Sequence, residues 1–140
     1  MSATASRLRQ AIRRLRESLA EPIDQILGEQ GPLRRGSFVT LRRKCGKPTC
    51  HCATGEAHPA NYLSTREAGG TRLVYLSAEV RHRVAEEAER YRRFRKHRAR
   101  LARLLRTLLR RIDKLEEALE SRKRIQPSAT DRRRRPGGGD

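Results

Sequence analysis

Cys45-Gly46-Lys47-Pro48-Thr49-Cys50-His51-Cys52-Ala53-Thr54-Gly55-Glu56-Ala57-His58 is the stretch on which the reading of this chain turns. Three thiols and an imidazole form a Cys3His set, which zinc accepts in tetrahedral geometry. Gly46 and Pro48 suit a tight turn between the first two cysteines, and Gly55 lets the chain return with His58. Cys45, Cys50, Cys52 and His58 are therefore the expected ligands of a structural Zn2+. His51 is the rival fourth ligand. It lies between two cysteines, which turns its side chain away from the metal they share, so His58 is preferred. Four protein ligands close the coordination shell, and Glu56 is the only acid close by, so the site reads as structural rather than catalytic. An odd number of cysteines packed this closely speaks against a disulfide framework and for a reducing, cytoplasmic setting.

Moving outward, the cluster sits between β-rich runs. Ser37-Phe38-Val39-Thr40-Leu41-Arg42 precedes it, and Asn61-Tyr62-Leu63-Ser64-Thr65-Arg66 and Thr71-Arg72-Leu73-Val74-Tyr75-Leu76 follow. Glu67-Ala68-Gly69-Gly70 reads as a hairpin turn, since glycine tolerates positive φ. Residues 33–77 are thus expected to form a small three-stranded antiparallel sheet, too small to stand without a staple.

Further out, the period becomes helical. Leu8, Ile12, Leu15, Leu19 and Ile26 share one register across residues 1–32, with Pro22 as a kink or as the start of a second short helix. Gly28, Gly31 and Pro32 end it. Residues 78–122 read as one helix, about 68 Å long at 1.5 Å per residue, in a segment reaching residue 126. Ser77 is its expected N-cap. Residues 127–140, with Arg132–Arg135 and Gly137–Gly139, read as a disordered basic tail. The predicted class is α+β, mainly α: an N-terminal helix, a three-stranded sheet with a zinc knuckle, and a long basic helix.

Charge points to the partner. Lys and Arg total 34 against 16 Asp and Glu, a net +18, and only 35% of the residues are hydrophobic, too few for one large core. A GC-rich genome explains an excess of Arg over Lys but not the deficit of acids. Arg90–Arg111 holds eleven basic residues and no acid. Solvated helical faces usually mix signs at i and i+4, so this stretch predicts a nucleic-acid partner, DNA favoured over RNA, with duplex and single strand both open. The expected contacts are Arg42, Arg43, Lys44 and Lys47 beside the knuckle, and Arg92, Arg93, Arg95, Lys96, Arg100 and Arg103 on the helix. A heptad seam of Leu101, Leu105, Leu108, Ile112, Leu115 and Leu119 continues from Tyr91 and Phe94 past Arg98. The N-terminal helix is expected to cover at most half of the long one, leaving the remainder for a homodimer or another coiled-coil partner. No apolar run is long enough to span a membrane. There is no Gly-rich phosphate loop, no cluster of carboxylates able to hold two metals, and too little apolar material for a pocket, which argues against an enzyme.

Gly36-Ser37-Phe38-Val39, the Cys-Gly-Lys-Pro-x-Cys-x-Cys run, His58-Pro59, Tyr62-Leu63-Ser64 and Tyr91-Arg92-Arg93-Phe94-Arg95 together resemble a bacterial domain-of-unknown-function family of small basic proteins. Members are often encoded beside or within insertion sequences and transposase genes. The resemblance runs from Arg34 to Leu119 and implies a bacterial source, a Cys3His metal knuckle and a link to mobile DNA, but no established activity. Members commonly carry more tyrosines after the histidine. This chain has Ala60-Asn61-Tyr62 there, which would weaken any base stacking at that point. The expected function is that of a non-enzymatic DNA-binding accessory protein of the bacterial nucleoid. The alternative is an adaptor whose coiled coil recruits a larger protein such as a transposase.

Overall fold

The fold is that of a computed structural model describing residues 2–120; the predicted basic tail at 127–140 lies outside the described residues. Helix α1 spans Ala3–Gly28, capped by the Ser2 hydroxyl, which accepts from the Ala5 amide at 3.4 Å. Pro22 lies inside it and starts no second helix. Proline removes one backbone donor, and here the fully buried ring supplies packing in return.

Three antiparallel strands follow in the order β1 (Ser37–Arg43), β2 (His58–Glu67) and β3 (Gly70–Tyr75). β2 and β3 join through Ala68-Gly69, with Gly70 at φ 128°. Cross-strand partners share a face of the sheet. Phe38, Leu63 and Val74 are therefore aligned on one face, and Val39, Tyr62 and Tyr75 on the other. Gly36, just before β1, has φ 118°, and a Cβ there would lie 2.7 Å from the Ser64 carbonyl oxygen.

Helix α2 spans Arg81–Leu119, about 58 Å at 1.5 Å per residue. Its N-cap is Val80 and not Ser77, because a turn intervenes in which the Ser77 carbonyl, not its hydroxyl, accepts from the Val80 and Arg81 amides. Leu63, Leu76, Val84 and Ala88 form the buried contact between sheet and α2, with Val80 packed against them. Glu87 is buried beside this cluster. Its carboxylate accepts from Arg34 Nε, and its carbonyl accepts from the Arg34 amide at 3.1 Å, pinning the segment between α1 and β1 to α2.

α1 returns antiparallel along α2. Glu29 pairs with Arg93 and Glu21 with Arg100, so the two helices run in opposite senses. The 26 residues of α1 against the 39 of α2 cover more than the half expected from the sequence. Phe94, His97, Leu101, Leu104, Leu108 and Leu115 are half-buried. Of the predicted seam, Leu101, Leu108 and Leu115 are thus half-buried, whereas Leu105, Ile112 and Leu119 remain exposed. No helix among the described residues is long and apolar enough to cross a membrane.

Candidate metal centre

β1 and β2 run side by side, with Arg43 opposite His58 at the end of the ladder. The chain between them must turn back on itself there. Cys45 follows β1, Cys50 precedes a single 3-10 turn, His51–Ala53, that contains Cys52, and His58 opens β2. The loop is shaped by its own backbone. The Cys50 amide donates to the Lys47 carbonyl at 3.1 Å, the Ala53 amide to Cys50 at 3.0 Å, and the Gly55 amide to His51 at 2.9 Å. Gly46 takes φ 81°, a conformation that side chains disfavour.

This folding brings the four expected ligands together: the donor atoms of Cys45, Cys50, Cys52 and His58 all lie within 4.8 Å of one another. Cys45 Sγ and Cys52 Sγ are 3.4 Å apart, and Cys50 Sγ and His58 Nε2 are 3.0 Å apart. Zinc–sulfur bonds of about 2.3 Å give tetrahedral edges of roughly 3.8 Å, so the donors are spaced to surround one ion. Cys52 is buried, and its sulfur accepts from the Cys45 amide at 3.4 Å. His51 is not among the four converging donors. Its exposed ring stands edge-on to His58, centroids 4.9 Å apart. The pKa values of Cys45 and Cys52 are shifted in opposite directions. The Lys47 backbone, then the Cys52 and Cys50 thiols, lower the Cys45 pKa. Cys52 feels the Cys45 amide pulling its pKa down, yet burial and the two neighbouring sulfurs drive it upward overall. The cluster is a group able to hold a metal ion.

The basic residues expected to meet nucleic acid divide in two. Arg42 pairs with Glu56 at 3.6 Å and donates to the Ala57 carbonyl, and the Arg43 guanidinium lies 5.2 Å from the centre of the Tyr62 ring. Arg92 grips Glu89 through Nε and Nη2, while Arg93 and Arg100 are tied to α1 through Glu29 and Glu21. Lys44, Lys47, Arg95, Lys96 and Arg103 are exposed and form no ion pair among the described residues. The sequence reading passed over Tyr75, which stands opposite Tyr62 with ring centroids 5.8 Å apart. Its place in a period-2 run was the available signal.

No curated protein matches the chain, and no solved structure does. A family match begins within α1 and stops at Arg90, so it starts earlier and ends earlier than the resemblance traced from Arg34 to Leu119, and it leaves out the Tyr91–Arg95 run. Residues 6–90, more than half of the chain and including all four converging donors, match the family described as Domain of unknown function (DUF6788), and the chain belongs to that family.

Proposed function

We propose that this chain is a non-enzymatic nucleic-acid-binding accessory protein, preferring DNA to RNA, whose Cys3His group holds a structural Zn2+. One observation carries the reading: Arg95, Lys96, Arg98, Arg103 and Arg106 stand exposed along α2 with no carboxylate paired to them among the described residues. Like charges held on a rigid rod repel one another until an anion neutralises them, and a phosphate backbone does so by releasing its counterions. The metal knuckle locks the end of the sheet and so fixes the basic loop that carries Lys44 and Lys47. A bacterial source and a link to mobile elements rest on the sequence resemblance, and a nucleoid setting rests on the DNA-binding reading itself.

Fluorescence anisotropy with labelled duplex DNA, single-stranded DNA and RNA at several salt concentrations tests the reading. Binding should weaken steeply with salt, and charge reversal of Arg95, Lys96, Arg103 and Arg106 should flatten the salt slope by about one for each phosphate that is no longer neutralised. Unchanged affinity in that variant would remove α2 as the binding surface.

A second reading has its own support. Leu105, Leu109, Ile112 and Leu119 lie along one stripe of α2 with exposures of 42–60%, an apolar stripe suited to a second copy or to a larger protein such as a transposase. Light scattering of the purified chain distinguishes monomer from dimer.

A further inference from the structure

Where β1 begins, the sheet meets α2 in a groove that the α2 rod does not account for. Phe38, Tyr91, Ala85, Ala88, Glu89 and Arg95 line a space of about 550 Å3. Past Gly36, Ser37 and Tyr91 it continues into a second concavity of about 450 Å3, bordered by Arg35 and Arg66. Each volume falls in the range of small-ligand sites. The groove exists because Gly36 lets the chain pass close to Ser64, and because Ala85 and Ala88 keep the helix surface low.

Its chemistry has three parts. Phe38 is 37% exposed and Tyr91 half-buried, so aromatic surface faces the opening. Arg35, Arg66 and Arg95 have no ion pair among the described residues. Glu89 is the one carboxylate on the wall, held in place by Arg92 at 2.7–3.2 Å. A flat apolar ring carrying phosphates on one side and N–H donors on its edge satisfies all three. A base in a duplex has its faces and its pairing edge already occupied, whereas an unpaired base has them free.

We infer that this groove takes an unpaired base of a single-stranded nucleic acid against Phe38 and Tyr91, with the flanking phosphates on Arg35, Arg66 and Arg95. The inference rests on the nucleic-acid reading above and assigns it a second, strand-selective site. Glu89 sets a preference among bases. Its carboxylate accepts from the amino groups of cytosine, adenine or guanine, but thymine and uracil place a carbonyl on each side of their only ring N–H and repel it.

The test uses the full chain and a single-stranded oligonucleotide carrying one 2-aminopurine. Binding should quench that base, and Phe38→Ala and Ala85→Leu should each abolish the quench and weaken single-strand binding about tenfold, within the range of base–aromatic stacking. Duplex affinity and its salt slope should not change. Thermal melts show whether each variant folds, and Ala85→Leu, which fills the groove from the helix side, decides the matter if Phe38→Ala does not. Duplex binding with a steep salt slope but no quench in the unaltered chain overturns this inference and leaves the proposed function standing. Failure to bind any probe overturns both. An oligo-dT that binds as tightly as oligo-dC overturns the role given to Glu89.

Discussion

Arg93 on α2 reaches both carboxylate oxygens of Glu29, at 2.7 and 3.3 Å, and so closes the antiparallel pairing of α1 and α2 next to the sheet. The Glu29 carboxylate is 15% accessible. The Arg93 hydrogen bonds, with the positive charges of Arg93, Arg90 and His97, hold its pKa below the ordinary carboxylate range, against a smaller opposing effect of burial.

A pH dependence follows. Because the folded pKa is depressed, the unfolded chain binds the extra proton between the two values. The stability from this pair is therefore complete above the unfolded pKa and is lost as pH falls through the folded one. Thermal melts from about pH 5 to about pH 3 should show the melting temperature falling less steeply in Glu29→Gln than in the unaltered chain. A slope remains in the variant, because the Arg92 hydrogen bonds depress Glu89 in the same sense. Identical slopes would mean that the pair contributes nothing to the helix contact.

Glu87 is the one buried charged side chain among the described residues, and it serves Arg34 twice, through carboxylate and carbonyl. Removing the carboxylate leaves Arg34 without its charged acceptor, at a cost of about 2 kcal/mol, typical of hydrogen bonds to charged groups. Glu87→Ala should lower the melting temperature by about 7 °C. In a double-mutant cycle with Arg34→Ala the two losses should be strongly non-additive; additive losses would show that the two residues stabilise the fold separately.

The elements and the four converging donors were legible because they are written in local pattern. Period-2 runs closed by Gly69-Gly70 give β2 and β3, and His58 joins the cysteines because it opens the strand paired with β1. What was not legible depends on which helix face meets which. The α2 sequence carries more apolar positions than one partner can cover, so Leu105, Ile112 and Leu119 fit the heptad and yet stay outside, while His97 and Leu104 turn inward. The same choice of face consumes Arg93 and Arg100, which in sequence look like their free neighbours. Ser77 has the composition of a cap, but the turn that follows it moves the helix start to Arg81. The groove at Phe38 and Tyr91 joins residues far apart in the chain and left no local signal.

Gly36 tests the approach of the chain to β2. Its φ of 118° is disfavoured for any side chain, and a Cβ would meet backbone at 2.7 Å, which cannot yield as a side-chain tip can. Gly36→Ala should destabilise by about 2 kcal/mol or more, the scale of a forced backbone conformation. Gly69 has open space around it and no positive φ, so Gly69→Ala should be close to neutral. Equal effects in chemical denaturation would show that the close approach at Gly36 relaxes freely.

The knuckle makes the sharpest prediction, because its ligand assignment separates two histidines a few residues apart. His58 Nε2 stands 3.0 Å from Cys50 Sγ, whereas His51 Nδ1 is 3.8 Å away and its ring is exposed. Elemental analysis should find one zinc per chain in the unaltered protein and in His51→Ala, and little in His58→Ala or Cys52→Ser. Chelation should leave the far-ultraviolet helical signal largely intact, since α1 and α2 hold each other through their own contacts, while hydrogen exchange rises at residues 44–57 and at the His58 end of β2. That contrast follows from the loop's economy: it makes few hydrogen bonds outside itself, so a metal would supply most of what orders it. Zinc retained by His58→Ala and lost by His51→Ala would reverse the ligand assignment, and a chelated chain with unchanged exchange in the loop would show that its backbone turns suffice.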